Sequence, residues 1–198
     1  METASTVTTR MNGVPETTAF CEYLLVADPD AVISEQIMEE KRFFSNRFKV
    51  PVAAATKPHI TIANFLATER MEETIIRWMH RIISTQKAFR VTLDRYGAFR
   101  PHTIYLRVTD HQPFKQLAKD LQVVDQYIRG NGCPEMQLTD FPHMTIARRL
   151  DKTVYEQALM VYSEKNFHAS FDIQELLLLR RQHQFDTCKQ VSLFRLQP

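Results

Sequence analysis

The order Pro-His-apolar-Thr-Ile occurs twice in the chain, once with His59 and Thr61 and again with His143 and Thr145. Within a β-strand, side chains two positions apart lie on the same face, so each histidine shares a face with its threonine. Imidazole titrates near neutral pH, which allows one histidine to act as a base and the other as an acid. The two HxT motifs therefore predict a reaction in which one proton is removed and another is supplied.

A phosphodiester is the bond that this combination suits best. An imidazole on one side of the phosphorus can remove a proton from the nucleophile, while one on the other side protonates the leaving oxygen. Threonine hydroxyls donate hydrogen bonds to phosphate oxygens and can stabilise the charge that develops there. If both motifs face one cleft, Thr61 and Thr145 are expected to bind the phosphate, and no metal ion is required.

The alternative is that both histidines are structural, since a lone histidine in a strand usually is. The stretch RPHTIYL provides a contrast, because His102 and Thr103 are adjacent and must point to opposite faces of a strand. The two HxT motifs instead agree in the preceding proline, the spacing, the following isoleucine and their place in the order of elements. These four agreements favour a functional pair.

The bulk composition excludes several classes of protein. The 198 residues are 44% apolar and 24% charged, with a formal net charge of +2, which is ordinary for a globular domain. Duplex DNA binding usually shows a concentrated basic face, and no such stripe is visible. Three cysteines without a CxxC spacing support neither a disulfide framework nor a zinc knuckle, so a cytoplasmic location is expected. The longest strongly apolar run, LLLL at 176–179, is too short to span a membrane.

The spacing of apolar residues divides the chain into strands and helices. The predicted strands are 20–28, 57–66, 89–99, 103–110, 141–150, 168–180 and 189–196, and the predicted helices are 31–48, 72–84, 113–132 and 154–165. The polar, Thr-rich stretch at 1–19 is interpreted as a disordered tail. The same order of elements occurs in both halves of the chain, which indicates an internal duplication.

This duplication predicts the fold class. Two similar α+β lobes, related by a pseudo-two-fold axis, would each present one HxT motif to a central cleft. Their two sheets are expected to be mostly antiparallel, with the helices on the outer faces. Together the lobes would form a single bilobed domain over residues 20–198.

The paired HxT strands, their separation and the duplicated order resemble the 2H phosphoesterase superfamily, in particular its 2′-5′ RNA ligase/cyclic phosphodiesterase (LigT-like) branch. The resemblance covers about residues 20–198. It implies metal-free hydrolysis of 2′,3′-cyclic phosphates on RNA ends or nucleotides, with reversible 2′-5′ RNA ligation in some members. It also implies that His59 and His143 are catalytic and that Thr61 and Thr145 bind the phosphate.

The resemblance suggests three further substrate contacts. An arginine soon after the second HxT motif is common in the family, and Arg148 fits this position. In a continuous strand, however, its side chain would point to the face opposite to that of His143, a difference in strand parity. The loop YGAFRPH lies where family members often place an aromatic and a basic residue beside the cleft. There Phe99 could stack on a base and Arg100 could bind phosphate. The alternative for both is an ordinary hairpin tip.

The expected partner is an RNA 3′ end or a small nucleotide cyclic phosphate. The protein is expected to act as a monomer without a cofactor, and to bind neither a membrane nor a DNA duplex. Two alternatives stay open. A nucleotide- or RNA-binding module could keep the cleft without catalysis. A metal site at His59 and His143 is disfavoured, because HxT lacks the usual ligand spacing and no carboxylate or cysteine recurs in both motifs.

Overall fold

The computed structural model describes residues 20–182 and 186–198, so the predicted tail at 1–19 lies outside the described residues. Within these ranges the chain forms nine strands and six α-helices. The strands are β1 Phe20–Ala27, β2 Ile60–Thr68, β3 Phe89–Phe99, β4 Thr103–Val108, β5 Gln137–Leu138, β6 His143–Ala147, β7 His168–Ile173, β8 Glu175–Arg181 and β9 Lys189–Arg195. The helices are α1 Ala31–Phe48, α2 Val52–Ala55, α3 Glu72–Ile83, α4 Gln112–Asp120, α5 Gln122–Gly130 and α6 Lys152–Glu164. No helix in the described ranges is long and apolar enough to cross a membrane.

Two predicted elements are each divided in the structure. The predicted helix 113–132 becomes α4 and α5, because a tight turn forms at Leu121, whose carbonyl accepts two of the following backbone amides. The predicted strand 168–180 becomes β7 and β8, which are separated by Gln174 because β7 pairs with β3 whereas β8 pairs with β1. The short elements α2 and β5 were not predicted, since they are too brief to show a periodic pattern.

The described strands form one sheet in the order β7-β3-β4-β6-β2-β1-β8-β9, with β5 pairing with β2. All of these strand pairs are antiparallel. The two predicted sheets are joined at their inner edges, where Ile60 of β2 pairs with Met144 of β6. The α+β class and the antiparallel pairing are therefore confirmed, and the two sheets are continuous. Thr61 lies in β2, His59 directly precedes that strand, and β6 begins at His143, so both HxT motifs lie at this junction.

The junction divides the sheet into two strand groups, β7-β3-β4-β6 and β2-β1-β8-β9. These groups do not correspond to the two halves of the chain. Strand β3, from the first half, pairs with β4 and β7 of the second half. Strand β8, from the second half, pairs with β1, where Glu22 lies opposite Arg181. Each strand group therefore combines strands from both halves of the chain, although the repeated order of elements indicated one lobe for each half. The backbone groups of β1 that face away from β2 are satisfied by β8 of the second half, and β3 of the first half pairs on both sides with strands of the second.

The pairing also fixes which side chains share a face, since residues opposite each other in a ladder point the same way. One row across the sheet consists of Tyr96, Leu106, Met144, Ile60 and Ala27. This row faces helices, because the Tyr96 ring packs edge-on against Tyr162 of α6 with centroids 4.7 Å apart. Tyr162 also contacts Phe44 of α1 at 5.7 Å. Helices α1 and α6 therefore cover the face opposite to the HxT side chains.

Helix α1 carries an unexpected polar residue toward the sheet. The N-cap of the helix is Asp30, whose side chain accepts a hydrogen bond from the amide of Ile33 at 2.9 Å. Its buried stripe consists of Ile37, Lys41, Phe44 and Phe48. Lysine is rarely fully buried unless it is paired, yet Lys41 is only 2% exposed.

The outer parts of the sheet approach each other at one end of the molecule. The backbone of Gln197, after β9, donates to the carbonyl of Gln86 at 2.8 Å and accepts from the amide of Ala88 at 2.6 Å. A cavity of about 1020 Å³ lies beside this contact and is lined by residues of both strand groups, including Arg90 and Asp172. Those two residues form an ion pair at 3.6 Å. The cavity is lined by neither HxT motif.

Candidate functional site

Both HxT histidines are held by the backbone just before them. Nδ1 of His59 lies 2.9 Å from the carbonyl oxygen of Lys57, and Nδ1 of His143 lies 3.0 Å from that of Phe141. A carbonyl oxygen can only accept, so Nδ1 carries the hydrogen in each ring. In the neutral rings Nε2 is then the proton acceptor. The backbone thus fixes the same tautomer in both motifs and leaves the same nitrogen for chemistry.

A buried proline explains why the two motifs make the same contact. Pro58 and Pro142 separate the histidines from the residues whose carbonyls they contact, and both prolines are buried. Proline fixes its own φ and restricts the preceding residue to an extended conformation. The dipeptide Pro-His therefore sets the direction of the carbonyl as well as that of the imidazole.

Strand pairing brings the two motifs together on one face. The β2–β6 register, extended by one residue in each direction, places His59 opposite Thr145 and Thr61 opposite His143. In an antiparallel ladder the diagonal separation of side chains is roughly 7–8 Å, so the two imidazoles flank a gap that can hold a phosphoryl group. The two hydroxyls occupy the other diagonal. All four side chains are half-buried, so neither histidine is sealed in the core.

Burial lowers the pKa of both imidazoles. For His59 burial is the largest cause, and the positive charges of Lys41, Arg148 and His143 lower the pKa further, against the raising effect of the backbone hydrogen bond. For His143 burial is again the largest cause, and its backbone hydrogen bond opposes it. Both rings are therefore held toward the neutral form that accepts a proton. The cations beside His59 also favour an anionic ligand.

Aromatic rings surround the second histidine. Phe99 stacks on Tyr105 with centroids 4.4 Å apart, and both rings contact His143, at 4.9 and 5.2 Å. Phe141 packs edge-on against Phe99 at 5.6 Å and against His111 at 4.9 Å. Phe141 is 41% exposed and is the most exposed ring of this set. We refer to Phe99, Tyr105 and Phe141 as the aromatic cluster; it packs around His143, whereas cations lie near His59.

Gly97 makes room for the aromatic cluster. It lies opposite Tyr105 in the β3–β4 ladder, and a Cβ atom added to it would be 2.6 Å from the tyrosine ring. That distance is well inside van der Waals contact. The Tyr105 ring can therefore lie over the backbone of β3, where it contacts Phe99 and His143. The sequence had placed Gly97 in the hairpin loop, but the structure places it within β3.

The three predicted substrate contacts occupy different positions. Arg148 follows β6 directly, and its charge acts on His59, so its strand parity does not keep it away from the site. Phe99 lies beside His143, but one of its faces is already covered by Tyr105. Arg100 is exposed in the turn after β3, and no hydrogen bond or ion pair to a described residue directs it to either motif.

Sequence reasoning missed two residues of the site. Nζ of Lys41 donates to Oγ1 of Thr56 at 3.0 Å and to the carbonyl oxygen of Thr145 at 3.3 Å. The signal was a lysine within the apolar stripe of α1. Phe141 was also missed, although it directly precedes the second Pro-His. In the ranges that the structure describes, no group of three or more His, Cys, Asp or Glu side chains could hold a metal ion.

An α+β fold whose antiparallel sheet carries HxT motifs at two adjoining strands is typical of a 2H phosphoesterase. Residues 29–184 match the family described as the 2′-5′ RNA ligase superfamily, and the chain belongs to that superfamily. A protein of Bacillus cytotoxicus that carries a phosphoesterase name is 26% identical over 149 residues, covering 74% of this chain and 83% of that protein. The resemblance drawn from the two motifs is thereby confirmed, and family membership supports phosphoesterase activity.

Solved structures confirm the predicted LigT-like fold. Escherichia coli LigT, crystallised with 3′-AMP, matches with a TM-score of 0.65 at 20% identity, covering 89% of this chain and 98% of LigT. A protein of Thermus thermophilus matches with a TM-score of 0.61 at 14% identity, covering 88% of this chain and 97% of its own. At these identities the likeness concerns the fold.

Proposed function

We propose that this chain hydrolyses 2′,3′-cyclic phosphates of RNA 3′ ends or nucleotides by metal-independent catalysis with two histidines, with reversible 2′-5′ ligation as a secondary reaction. The observation that carries the proposal is the shared face of His59 and His143, each with Nδ1 on a backbone carbonyl. The superfamily supports a phosphoesterase. The tautomer, the diagonal spacing and the nearby cations supply what such a reaction requires at phosphorus.

The reaction uses one neutral and one protonated imidazole. Nε2 of the neutral ring removes a proton from water as the water oxygen bonds to phosphorus. Nε2 of the protonated ring gives its proton to a ribose oxygen as the bond between that oxygen and phosphorus breaks. The products are a phosphomonoester and a free ribose hydroxyl, and the two rings return to their starting states by proton exchange with solvent. Thr61 and Thr145 donate hydrogen bonds to the non-bridging oxygens, and Arg148 adds positive charge.

A screen of substrates tests the proposal directly. Purified protein, with EDTA present, is incubated with 2′,3′-cyclic mononucleotides, with oligonucleotides ending in a cyclic phosphate and with 2′-5′ dinucleotides. We expect at least one cyclic phosphate to be opened to a monoester at a rate that EDTA does not change. Nucleotide binding without turnover of any compound would instead identify a catalytically silent binding module. Activity lost in EDTA and restored by a divalent cation would contradict the metal-independent mechanism.

The aromatic cluster supports a nucleotide as substrate, because its most exposed ring, Phe141, lies next to the second HxT motif. LigT has been crystallised with 3′-AMP and with ATP. Stacking of a base on an aromatic ring contributes roughly 1–3 kcal/mol. We therefore expect Phe141→Ala to raise the KM for a 2′,3′-cyclic nucleotide by about 5- to 150-fold, as measured by steady-state kinetics.

A substrate without a base separates stacking from general damage to the site. The KM for ribose 2′,3′-cyclic phosphate should be nearly the same in Phe141→Ala and in the wild type. Phe20→Ala is a matched control, because Phe20 is 45% exposed and lies at the start of β1. An equal rise in KM for both substrates in Phe141→Ala would show that the ring has no contact with the base.

A further inference from the structure

Lys41 brings a positive charge to the point where the two HxT strands meet. From α1 its ammonium donates to Oγ1 of Thr56 at 3.0 Å and to the backbone oxygen of Thr145 at 3.3 Å. Thr56 lies shortly before His59, and Thr145 belongs to the second motif. The β2–β6 junction itself has a short ladder at Ile60. A single side chain therefore links the segment that leads into the first motif with the strand of the second.

This ammonium is nearly sealed from water and has no carboxylate partner. Lys41 is 2% exposed, and no carboxylate in the described parts of the chain forms an ion pair with it. Glu40, its neighbour in α1, is paired with Lys165 of the segment after α6 at 2.6 Å. The charge that acts on Lys41 is that of Arg148, which is also positive. A buried cation without compensation destabilises the folded state.

The isolation of this ammonium affects the pKa of Lys41 and that of His59. Burial first, and the charge of Arg148 second, lower the pKa of Lys41 to about 8. The positive charge of Lys41 in turn contributes to the lowered pKa of His59. The neighbours of the ammonium are thus hydroxyl and carbonyl oxygens, an arginine and an imidazole. The one group that this set lacks is an anion.

A bound phosphoryl group would supply that anion. We propose that Lys41 acts as the internal countercharge of a phosphoryl group bound between His59 and His143. The inference rests on the proposed function and adds a residue to it. It explains why a helix otherwise apolar on this side keeps a lysine in its buried stripe.

Binding of inorganic phosphate tests the inference without any turnover. At about pH 7 we expect Lys41→Met to weaken phosphate affinity about 10-fold in isothermal titration calorimetry, because one nearby positive charge is lost. At about pH 9.5 the wild-type ammonium is largely neutral, so the two proteins should bind phosphate about equally. Comparing the proteins at each pH removes the ionisation of phosphate itself from the result. Unchanged affinity at pH 7, or the same deficit at both pH values, would overturn the inference.

Stability should change in the opposite direction to binding. The folded pKa of about 8 lies below the ordinary lysine value, so between the two the unfolded chain binds more protons than the folded one. Wild-type stability therefore gains as pH rises through this window. We expect Lys41→Met to be more stable than the wild type toward urea at about pH 7, with an advantage that shrinks above about pH 8. A purely structural lysine would instead lose stability on substitution.

Lys165→Met is the matched control, because Lys165 is a partly buried lysine whose carboxylate partner, Glu40, is in place. It should lower stability and leave phosphate affinity unchanged. A second measurement covers the case in which Lys41→Met does not fold. In wild-type protein labelled at lysine, phosphate should raise the pKa of Lys41 in an NMR titration, and no change there would also overturn the inference.

The two proposals can fail separately. If phosphate binding depends on Lys41 as expected but no cyclic phosphate is opened in the screen, the inference stands and the proposed reaction fails. If cyclic phosphates are opened by the wild type and Lys41→Met binds phosphate equally well, the reaction stands and the inference fails.

Discussion

Alanine in place of His59 is expected to lower the turnover of a 2′,3′-cyclic phosphate by about 100-fold or more, and alanine in place of His143 by a similar factor. Each substitution removes the acid or the base from a reaction that needs both. The measurement is kcat under steady-state conditions, where KM should change much less. Because the two rings act as a unit, the double variant should lose little more than either single variant. Full activity in the double variant would end the catalytic assignment.

His102→Ala is the matched control for these variants. His102 also follows a proline and is exposed outside both HxT motifs. The expectation that His102 and Thr103 point to opposite faces was wrong: His102 lies in the turn before β4, and its Nδ1 contacts the hydroxyl of Thr103 at 2.9 Å. Its substitution should leave kcat unchanged. His102→Ala should keep the melting temperature of the wild type within a few degrees, since surface substitutions usually cost little. His59→Ala and His143→Ala, at half-buried positions, should still fold, which a circular-dichroism spectrum checks. A large fall in activity for His102→Ala would show that the HxT spacing is not what matters.

The pH dependence of the wild type follows from the same histidines. Burial lowers the pKa of both rings, so the acid limb of kcat/KM is expected below about pH 6.5, where the base becomes protonated. The second limb reports loss of the proton from the acid. Both limbs belong to the coupled pair rather than to one residue. A bell-shaped profile that persists in His59→Ala would show that other groups titrate.

Gly97→Ala is expected to destabilise the protein by about 1–3 kcal/mol and to lower kcat about 10-fold or more. The added Cβ would lie 2.6 Å from the Tyr105 ring. That ring contacts both Phe99 and His143, so a displacement of it disturbs their packing. The second imidazole would then lose the packing that fixes its direction. Urea unfolding and steady-state kinetics on the same preparation give both quantities.

Gly130→Ala provides a like-for-like comparison, because a Cβ at Gly130 would meet nothing within 4 Å. It should cost neither stability nor activity. A double-mutant cycle identifies the clash: in a Tyr105→Leu background, Gly97→Ala should cost less stability than it does in the wild type. Activity should not return in the double variant, since the ring that packs against His143 is then absent. Equal costs in both backgrounds would show that Gly97 matters for another reason.

The part of the site that the sequence predicted depends on local geometry. Side chains two positions apart share a face of a strand, which is enough to place His59 beside Thr61 and His143 beside Thr145. The preceding prolines also act locally, since they set the carbonyl that each histidine contacts. The expectation that both motifs face the same cleft depended only on the repeated order of elements in the two halves of the chain. The strand register supports it, because Ile60 pairs with Met144.

What the sequence could not predict depends on contacts between distant segments. Lys41 reaches the carbonyl of Thr145, 104 residues away, and no periodic pattern indicates such a partner. The place of Arg148 was obscured because a parity argument holds only while the strand continues, and β6 ends at Ala147. The division of 168–180 into two strands was hidden for a related reason. A continuous apolar run looks the same whether it serves one ladder or two.

The pairing of β1 with β8 has a consequence for how the chain is made. Leu24 of β1 pairs with Leu179 of β8, so β1 must wait during synthesis for a strand that follows it by about 155 residues. During translation one edge of β1 stays open to other chains or to chaperones. The strand group that holds the first HxT motif can therefore be completed only after β8 has emerged. Such non-local pairing also makes folding slow relative to that of a helical protein of similar size.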